Sequence, residues 1–282
     1  MDIVLYHGYE LTGSGSNEYN RYLARSFLNL GHRVHIICRE SNPKNIGYIG
    51  EYWVWDKEAD CTVTVINKAY ADQCLLHYIP AGEIYPVYLT DKQRPGHVKS
   101  FVELSDIELD KFIAINERVL NEILDVIAPD IVFANHIVMQ PYMALMPCHQ
   151  HKIPLVIFLH GSAIEYTVKK DSRYYDKARD ALIACDQIIT GNHEVRNRII
   201  ELFADIKTDI IAKTSIVGIG VDTSLFHPVN RADRESKIAD FLNSGIIKLN
   251  RGKSPDQLQK LHRKLESGKL QSVTQMFDEY NE

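Results

Sequence analysis

Apolar residues along this chain follow two rhythms. Short continuous runs, Asp2–His7 (DIVLYH), Val34–Cys38, Asp130–Asn135 (DIVFAN), Pro154–Leu159 (PLVIFL), Gln187–Thr190 and Lys213–Val217, have the length of buried strands. Between them, apolar residues recur at helical spacing. Tyr19, Tyr22, Leu23, Phe27 and Leu30 predict a helix over about 18–30, closed by Gly31. Leu109, Phe112, Ile113, Leu120, Ile123, Leu124 and Ile127 predict another over about 104–127, which stops before Pro129. Further helices are predicted at 140–150, 172–185 and 194–203. Strands that are apolar throughout and alternate with helices mean a parallel sheet covered on both faces, an α/β Rossmann-like architecture. Residues 41–103 break the rhythm. Short β-like runs (Tyr52–Trp55, Thr62–Ile66, Leu75–Ile79, Tyr85–Leu89) stand there between Pro, Gly and Asp with no pattern that places them.

Composition narrows the class. The chain has 282 residues, 45% hydrophobic and 24% charged, which suits a globular protein of one large domain or two small ones. A net charge of -5 argues against a general nucleic-acid binder. Cys38, Cys61, Cys74, Cys148 and Cys185 form no CxxC pair and are expected to be reduced thiols of a cytoplasmic protein. Neither a basic leader nor an apolar run of membrane-spanning length is present, so secretion and transmembrane anchoring are not expected.

The chemistry gathers where strands end. Leu11–Asn17 (LTGSGSN) joins the first strand to the first helix, and its glycines let backbone N–H groups and a helix N-terminus approach an anion. Gly13, Ser14, Gly15 and Ser16 are therefore candidate phosphate contacts, against the alternative of a tight turn with an N-cap serine. A dinucleotide fingerprint would need a third glycine where Glu18 stands, although Glu40 follows the second strand as a ribose-binding acid would. His7, His136 and His160 each fall at the carboxyl end of a predicted strand, the rim on which open parallel sheets bind ligands. Any one of them alone reads as a hydrogen-bonded structural residue; three beside a glycine loop point to a site. His149 and His151 lack partner ligands and read as surface residues.

Residues Val217–Pro228 read V-G-I-G-V-D-T-S-L-F-H-P. With the loop Gly13–Ser16, Gly31-His32-Arg33-Val34, the strand ending at His136, His160-Gly161-Ser162 and the turn Thr190–Glu194, this segment resembles the family 4 retaining glycosyltransferases. The resemblance spans about residues 1–228; Ile219 and the Gly-Ser-Gly loop depart from the family's usual residues. It implies a GT-B architecture, two Rossmann-like domains facing across a cleft, of which residues 1–228 would be the N-terminal, acceptor-side domain. It also implies a nucleotide-sugar donor, a carbohydrate or lipid-linked acceptor and no essential metal or other cofactor. By the same resemblance His160 would hydrogen-bond the donor sugar as the catalytic residue, Gly13 to Ser16 would face the donor phosphates, and Asn17, His136 and Glu165 would contact the acceptor. Only 54 residues follow Pro228, too few for the donor-binding domain, so an acceptor-side half is expected, either truncated or one partner of a split enzyme.

Residues 229–282 are expected to form a helical interdomain or tail segment, with a start at Ser254-Pro255 and a stripe of Leu258, Leu261 and Leu265. The basic stretch 248–269 has two readings, a solvated helix face or peripheral docking to the anionic inner face of a membrane. Two other functions stay open at this point: a nicotinamide-dependent oxidoreductase, from the Rossmann-type opening, and a non-catalytic binding partner of a split enzyme.

Overall fold

Strand β1 (Asp2–Tyr6) lies inside a nine-stranded sheet and explains why its run is apolar on both sides. Ile3 and Leu5 enter one buried cluster with Leu11, Ala24, Val34 and Ile36, while Val4 and Tyr6 enter the other with Ile37, Leu120 and Ile123. Successive side chains point to opposite faces, so a strand covered on both sides must be apolar at every position. Burying each such aliphatic side chain contributes about 1.5–3 kcal/mol. The computed structural model describes residues 1–80, 82, 84–88, 97–223, 226–243, 259, 260, 263, 264, 266 and 267.

The chain divides into two compact units, Met1–Ile219 and Gly220–Glu282, so the expected boundary at 228 falls inside the second unit. In the first unit β1 is followed by α1 (Gly15–Asn29), β2 (Arg33–Cys38), β3 (Glu51–Trp55), β4 (Cys61–Val65), β5 (Cys74–Tyr78), β6 (Tyr85–Val87) and β7 (Val98–Ser100). Then come α2 (Asp106–Ile127), β8 (Ile131–Asn135), α3 (Gln140–His151), β9 (Leu155–Leu159) and α4 (Gly161–Ala163), which runs into a wide turn over Ile164–Val168. The series ends with α5 (Ser172–Ala184), β10 (Gln187–Thr190), α6 (His193–Leu202), α7 (Lys207–Lys213) and β11 (Thr214–Ile216). The sheet order is β11-β10-β9-β8-β1-β2-β5-β3-β4, parallel except for the β3–β4 hairpin at one edge. In the second unit, α8 (Arg234–Asn243) is described.

The expected α/β Rossmann-like sheet with helices on both faces is observed, with three differences. First, the β-like runs of residues 41–103, which no pattern placed, extend the main sheet in part: β5 pairs with β2 and β3 with β5. Their mixed composition reflects the sheet margin, where β4 is exposed along its whole length. Second, α1 begins at Gly15, where Ser14 caps it by accepting from Asn17 N at 3.3 Å. Its buried residues are Asn17, Asn20 and Ala24, whereas Tyr22 and Leu30 are exposed. Third, α7 was hidden by its shortness. Helix α2 matches its predicted face, opened by a capping box in which Ser105 N donates to Glu108 Oε2 at 2.8 Å. Most of the predicted tail helix, including Ser254, Pro255, Leu258, Leu261 and Leu265, lies outside the described residues, as does most of the basic stretch 248–269. Among the described residues no helix is long and apolar enough to cross a membrane.

Candidate functional site

The parallel register brings the carboxyl ends of β1, β8 and β9 side by side: Tyr6 is level with Ala134, and Asn135 with Phe158. The residues that follow, His7, His136 and His160, therefore converge on one rim. His136 stacks 5.7 Å from His7 and lies 4.8 Å from His160, centroid to centroid.

Three asparagines hold this rim together. Asn20, on the buried face of α1, shares the two hydrogens of Nδ2 among Ser16 O at 2.9 Å, His7 Nδ1 at 3.1 Å and Asn135 Oδ1 at 3.1 Å, and its Oδ1 accepts from Asn135 Nδ2 at 2.7 Å. Asn17 Nδ2 donates to Thr12 O, which leaves Asn17 Oδ1 to accept from His7 Nε2 at 2.9 Å. His7 is thus the Nε2–H tautomer, its Nδ1 accepting from Asn20. The chain continues to His160: Asn135 Nδ2 is used on Asn20, so Asn135 Oδ1 accepts from His160 Nε2 at 3.1 Å. That bond places the proton of His160 on Nε2 and leaves Nδ1 as its lone-pair nitrogen. Tyr19 stacks on Phe158 at 4.4 Å and meets the His160 ring edge-on at 5.7 Å, which fixes the ring's orientation.

All three rim histidines are neutral. Burial lowers His7 to about 4, against upward pulls from its bond to Asn17 and from the Glu10 backbone. Burial, with the neighbouring His7, lowers His160 to about 3. His136 is held well below its ordinary value by burial and by His160 and His7 beside it. Such imidazoles serve as hydrogen-bonding groups and do not cycle a proton near neutral pH.

The glycine loop borders this rim through Asn17 and Ser16. Gly13, Ser14 and Gly15 are exposed, and Gly13 takes φ +90 in open space. Gly15 is the first helical residue, also with open space around it, and its φ lies outside the left-handed region. The first N–H groups of α1 have no carbonyl behind them in the helix, as an anion contact requires.

The Glyco_transf_4 model, described as Glycosyltransferase Family 4, matches residues 13–225, most of the chain and the whole of this rim beyond His7. The chain belongs to glycosyltransferase family 4. Membership agrees with the resemblance of the Val217–Pro228 segment and leaves the nicotinamide reading without support. No curated protein sequence matches the chain. A glycosyltransferase from Rickettsia africae ESF-5 aligns with a TM-score of 0.51 at 13% identity, over 85% of this chain and 49% of its own, and shows the shared GT-B fold. Arabidopsis thaliana UGT89C1 complexed with UDP aligns at 0.47 and 13% identity, over 93% and 63% of the two chains. UDP-GlcNAc 2-epimerase from Neisseria meningitidis aligns at 0.45 and 12%, over 89% and 53%. The chain spans about half the length of several solved structures it matches.

Within this family member the candidate residues occupy unequal places. His160 is partly exposed at the rim, followed by Gly161, where a Cβ would lie 3.4 Å from Arg198 Nη1. Asn17 and His136 are 2% and 1% exposed, so they lie beneath the rim surface, in its support. His136 (φ +71) is enclosed by His7, Tyr9, Tyr88 and His160. Glu165 lies nearer the surface, its carboxyl held below the usual range by Lys169 at 2.7 Å and Arg198 at 3.0 Å. The sequence reading missed Asn20, Asn135, Tyr88 and Gln140. Tyr88 Oη donates to Val138 O and approaches Gln140 Oε1, and Gln140 packs where a Gly8 side chain would stand. Asn135 carried one signal, an amide closing an apolar strand. The Val217–Pro228 segment crosses between the two units, with Ser224 and Leu225 outside the described residues.

Proposed function

We propose that the first unit is the acceptor-side half of a retaining glycosyltransferase that moves a sugar from a nucleotide-diphosphate donor to a carbohydrate or lipid-linked acceptor. In this reading a second Rossmann-like domain supplies most of the nucleotide site. The observation that carries the reading is His160, a neutral imidazole fixed by Asn135 in one tautomer at the carboxyl rim, beside a helix N-terminus. Departure of a diphosphate leaves an oxocarbenium-like sugar, and the matching catalyst is a set of prearranged donors and acceptors that needs no strong acid. His160 Nδ1 accepts from a hydroxyl of the donor sugar. The N–H groups at Gly13, Ser14, Gly15 and Ser16 face the donor phosphates across the cleft. Asn17 and His136 act on the acceptor side by holding His7 and the rim in place, and Glu165 contributes through Arg198. No metal is required by this chemistry. The enzyme works in the cytoplasm, with residues 248–269 available to an anionic membrane surface.

The test has two arms. The 282-residue chain alone is expected to show no measurable transfer, since positioning of the donor is lost without its nucleotide site; turnover of a nucleotide sugar by the purified chain refutes the division of labour. In the complete enzyme, NMR of the product's anomeric proton reports stereochemistry, and an inverted product refutes the retaining mechanism.

A further inference from the structure

Arg39 follows β2 and carries its charge into the first unit at 4% exposure. Its Nη1 donates to Gly8 O at 3.1 Å, and its guanidinium carbon sits 5.1 Å from the Tyr85 ring centre and 5.2 Å from that of Phe112. Among the described residues, one carbonyl and two aromatic rings are thus what this cation meets. Nε and Nη2 are fully buried with no hydrogen-bond partner among the described residues. Arg39 enters none of the ion pairs among those residues. Glu40, its neighbour in sequence, is engaged elsewhere, accepting from Leu11 N at 3.2 Å and Asn42 N at 2.9 Å.

Which donors are unmatched decides the chemistry. In a planar guanidinium, Nε–H and one N–H of Nη2 point along the same edge, at the spacing of two oxygens of a carboxylate or phosphate. A buried charge left without such a partner is strongly unfavourable, so its retention calls for a reason outside the fold's own stability. Two further observations share the neighbourhood. Phe112 also lines a cavity of about 710 Å³, a volume typical of small-molecule sites, whose walls include Trp55, Ile84 and Leu104 with Lys111 and Arg118. Tyr85 also contacts Tyr9, which packs on His136, whose two ring nitrogens are likewise buried with no hydrogen-bond partner among the described residues.

We propose that the Nε/Nη2 edge of Arg39 receives an oxyanion, a carboxylate or a phosphate, carried by the acceptor, and that the cavity beside Phe112 houses the adjoining part of that acceptor. This rests on the reading of the first unit as the acceptor side. It makes the acceptor an acidic molecule and separates its recognition, at β2 and α2, from that of the donor, at β9.

The experiment follows thermal unfolding of the full chain against inorganic phosphate, glycerol 3-phosphate and glucuronate, each matched in ionic strength with sodium chloride. A ligand that binds the folded state raises the melting temperature saturably. At least one oxyanion is expected to do so in a way that depends on Arg39: an Arg39-dependent response to the phosphates points to a phosphorylated acceptor, one to glucuronate to an acidic sugar. Arg39→Gln should abolish the response. Arg39→Lys, which keeps the charge but loses the two-donor edge, should weaken the half-saturating concentration at least tenfold, and it decides the matter if the glutamine variant does not fold. Absence of any response beyond sodium chloride, or an equal response in Arg39→Lys, overturns the proposal. The readout is binding: transfer by the complete enzyme without anion binding sinks this inference alone, and anion binding with no transfer by the complete enzyme supports Arg39 while sinking the enzymatic reading.

Discussion

Truncating Asn135 to alanine tests whether the rim is one buried hydrogen-bonded unit. The side chain is 1% exposed and takes part in three hydrogen bonds: it donates to Asn20 Oδ1 and accepts from Asn20 Nδ2 and His160 Nε2. Loss of its Nδ2 strands Asn20 Oδ1 in a buried site, a desolvation cost of about 1–3 kcal/mol. Asn20 Nδ2 keeps Ser16 O and His7 Nδ1 as acceptors and adds little. His160 loses its acceptor on a partly exposed ring, about 0.5–1.5 kcal/mol. The expected total is about 3 kcal/mol, a drop of roughly 6–12 °C for a domain of this size. Calorimetry of Asn135→Ala should be read beside Asn121→Ala. Asn121 accepts from His151 Nε2 at 3.1 Å, the same chemical bond at a half-exposed place where water replaces either partner. There the cost should stay near 0.5 kcal/mol. Equal shifts in the two variants would refute the buried network and leave His160 without a fixed tautomer.

In the complete enzyme His160→Ala should lower the transfer rate by about one to two orders of magnitude, one lost hydrogen bond of roughly 1–3 kcal/mol in the transition state, with melting lowered by only about 1–6 °C for the lost bond to Asn135; wild-type kinetics would make His160 structural. Gly13→Ala, at φ +90, should cost about 1 kcal/mol, whereas Gly15→Ala, at a helical position in open space, should be neutral or stabilising by up to about 1 kcal/mol; the reverse order in chemical denaturation would contradict the backbone described above. Acidification should also destabilise the fold. The unfolded chain protonates its histidines below about 6.5, while His7 stays neutral down to about 4 and His35 and His160 to about 3. Stability is therefore intact above 6.5 and lost as pH falls towards those folded values, by up to about 1.4 kcal/mol per pH unit for each histidine. Urea midpoints that do not move between pH 7 and 5, a window above most carboxylate titration, would disprove the burial of these rings.

Strands β1, β8 and β9 were legible because they are apolar almost throughout, and α2 because its stripe is long. The rim was only half legible, for a physical reason that Asn17 and Asn20 make plain. Pattern reading takes polar residues as outward, so α1 was turned to bury Tyr22 and Leu30, yet its inner face carries Asn17, Asn20 and Ala24. Those amides are inward because His7 and a third amide, Asn135, are there to satisfy them; Asn135 stands 115 positions from Asn20, a relation that no local period records. Shortness hid α7, whose seven residues are too few for a period to emerge. Buried polar residues also lie elsewhere, His35 and His77 within β2 and β5 and Asn116 on α2, but several gather near the rim. Asn20, Asn135, His136 and Arg39 all stand at carboxyl ends of strands or on the helix face that covers them, and each is a polar group buried where a core normally places apolar side chains. A fold tolerates such exceptions where something other than stability selects them. Their concentration on one rim is therefore an argument for the site, independent of the family match.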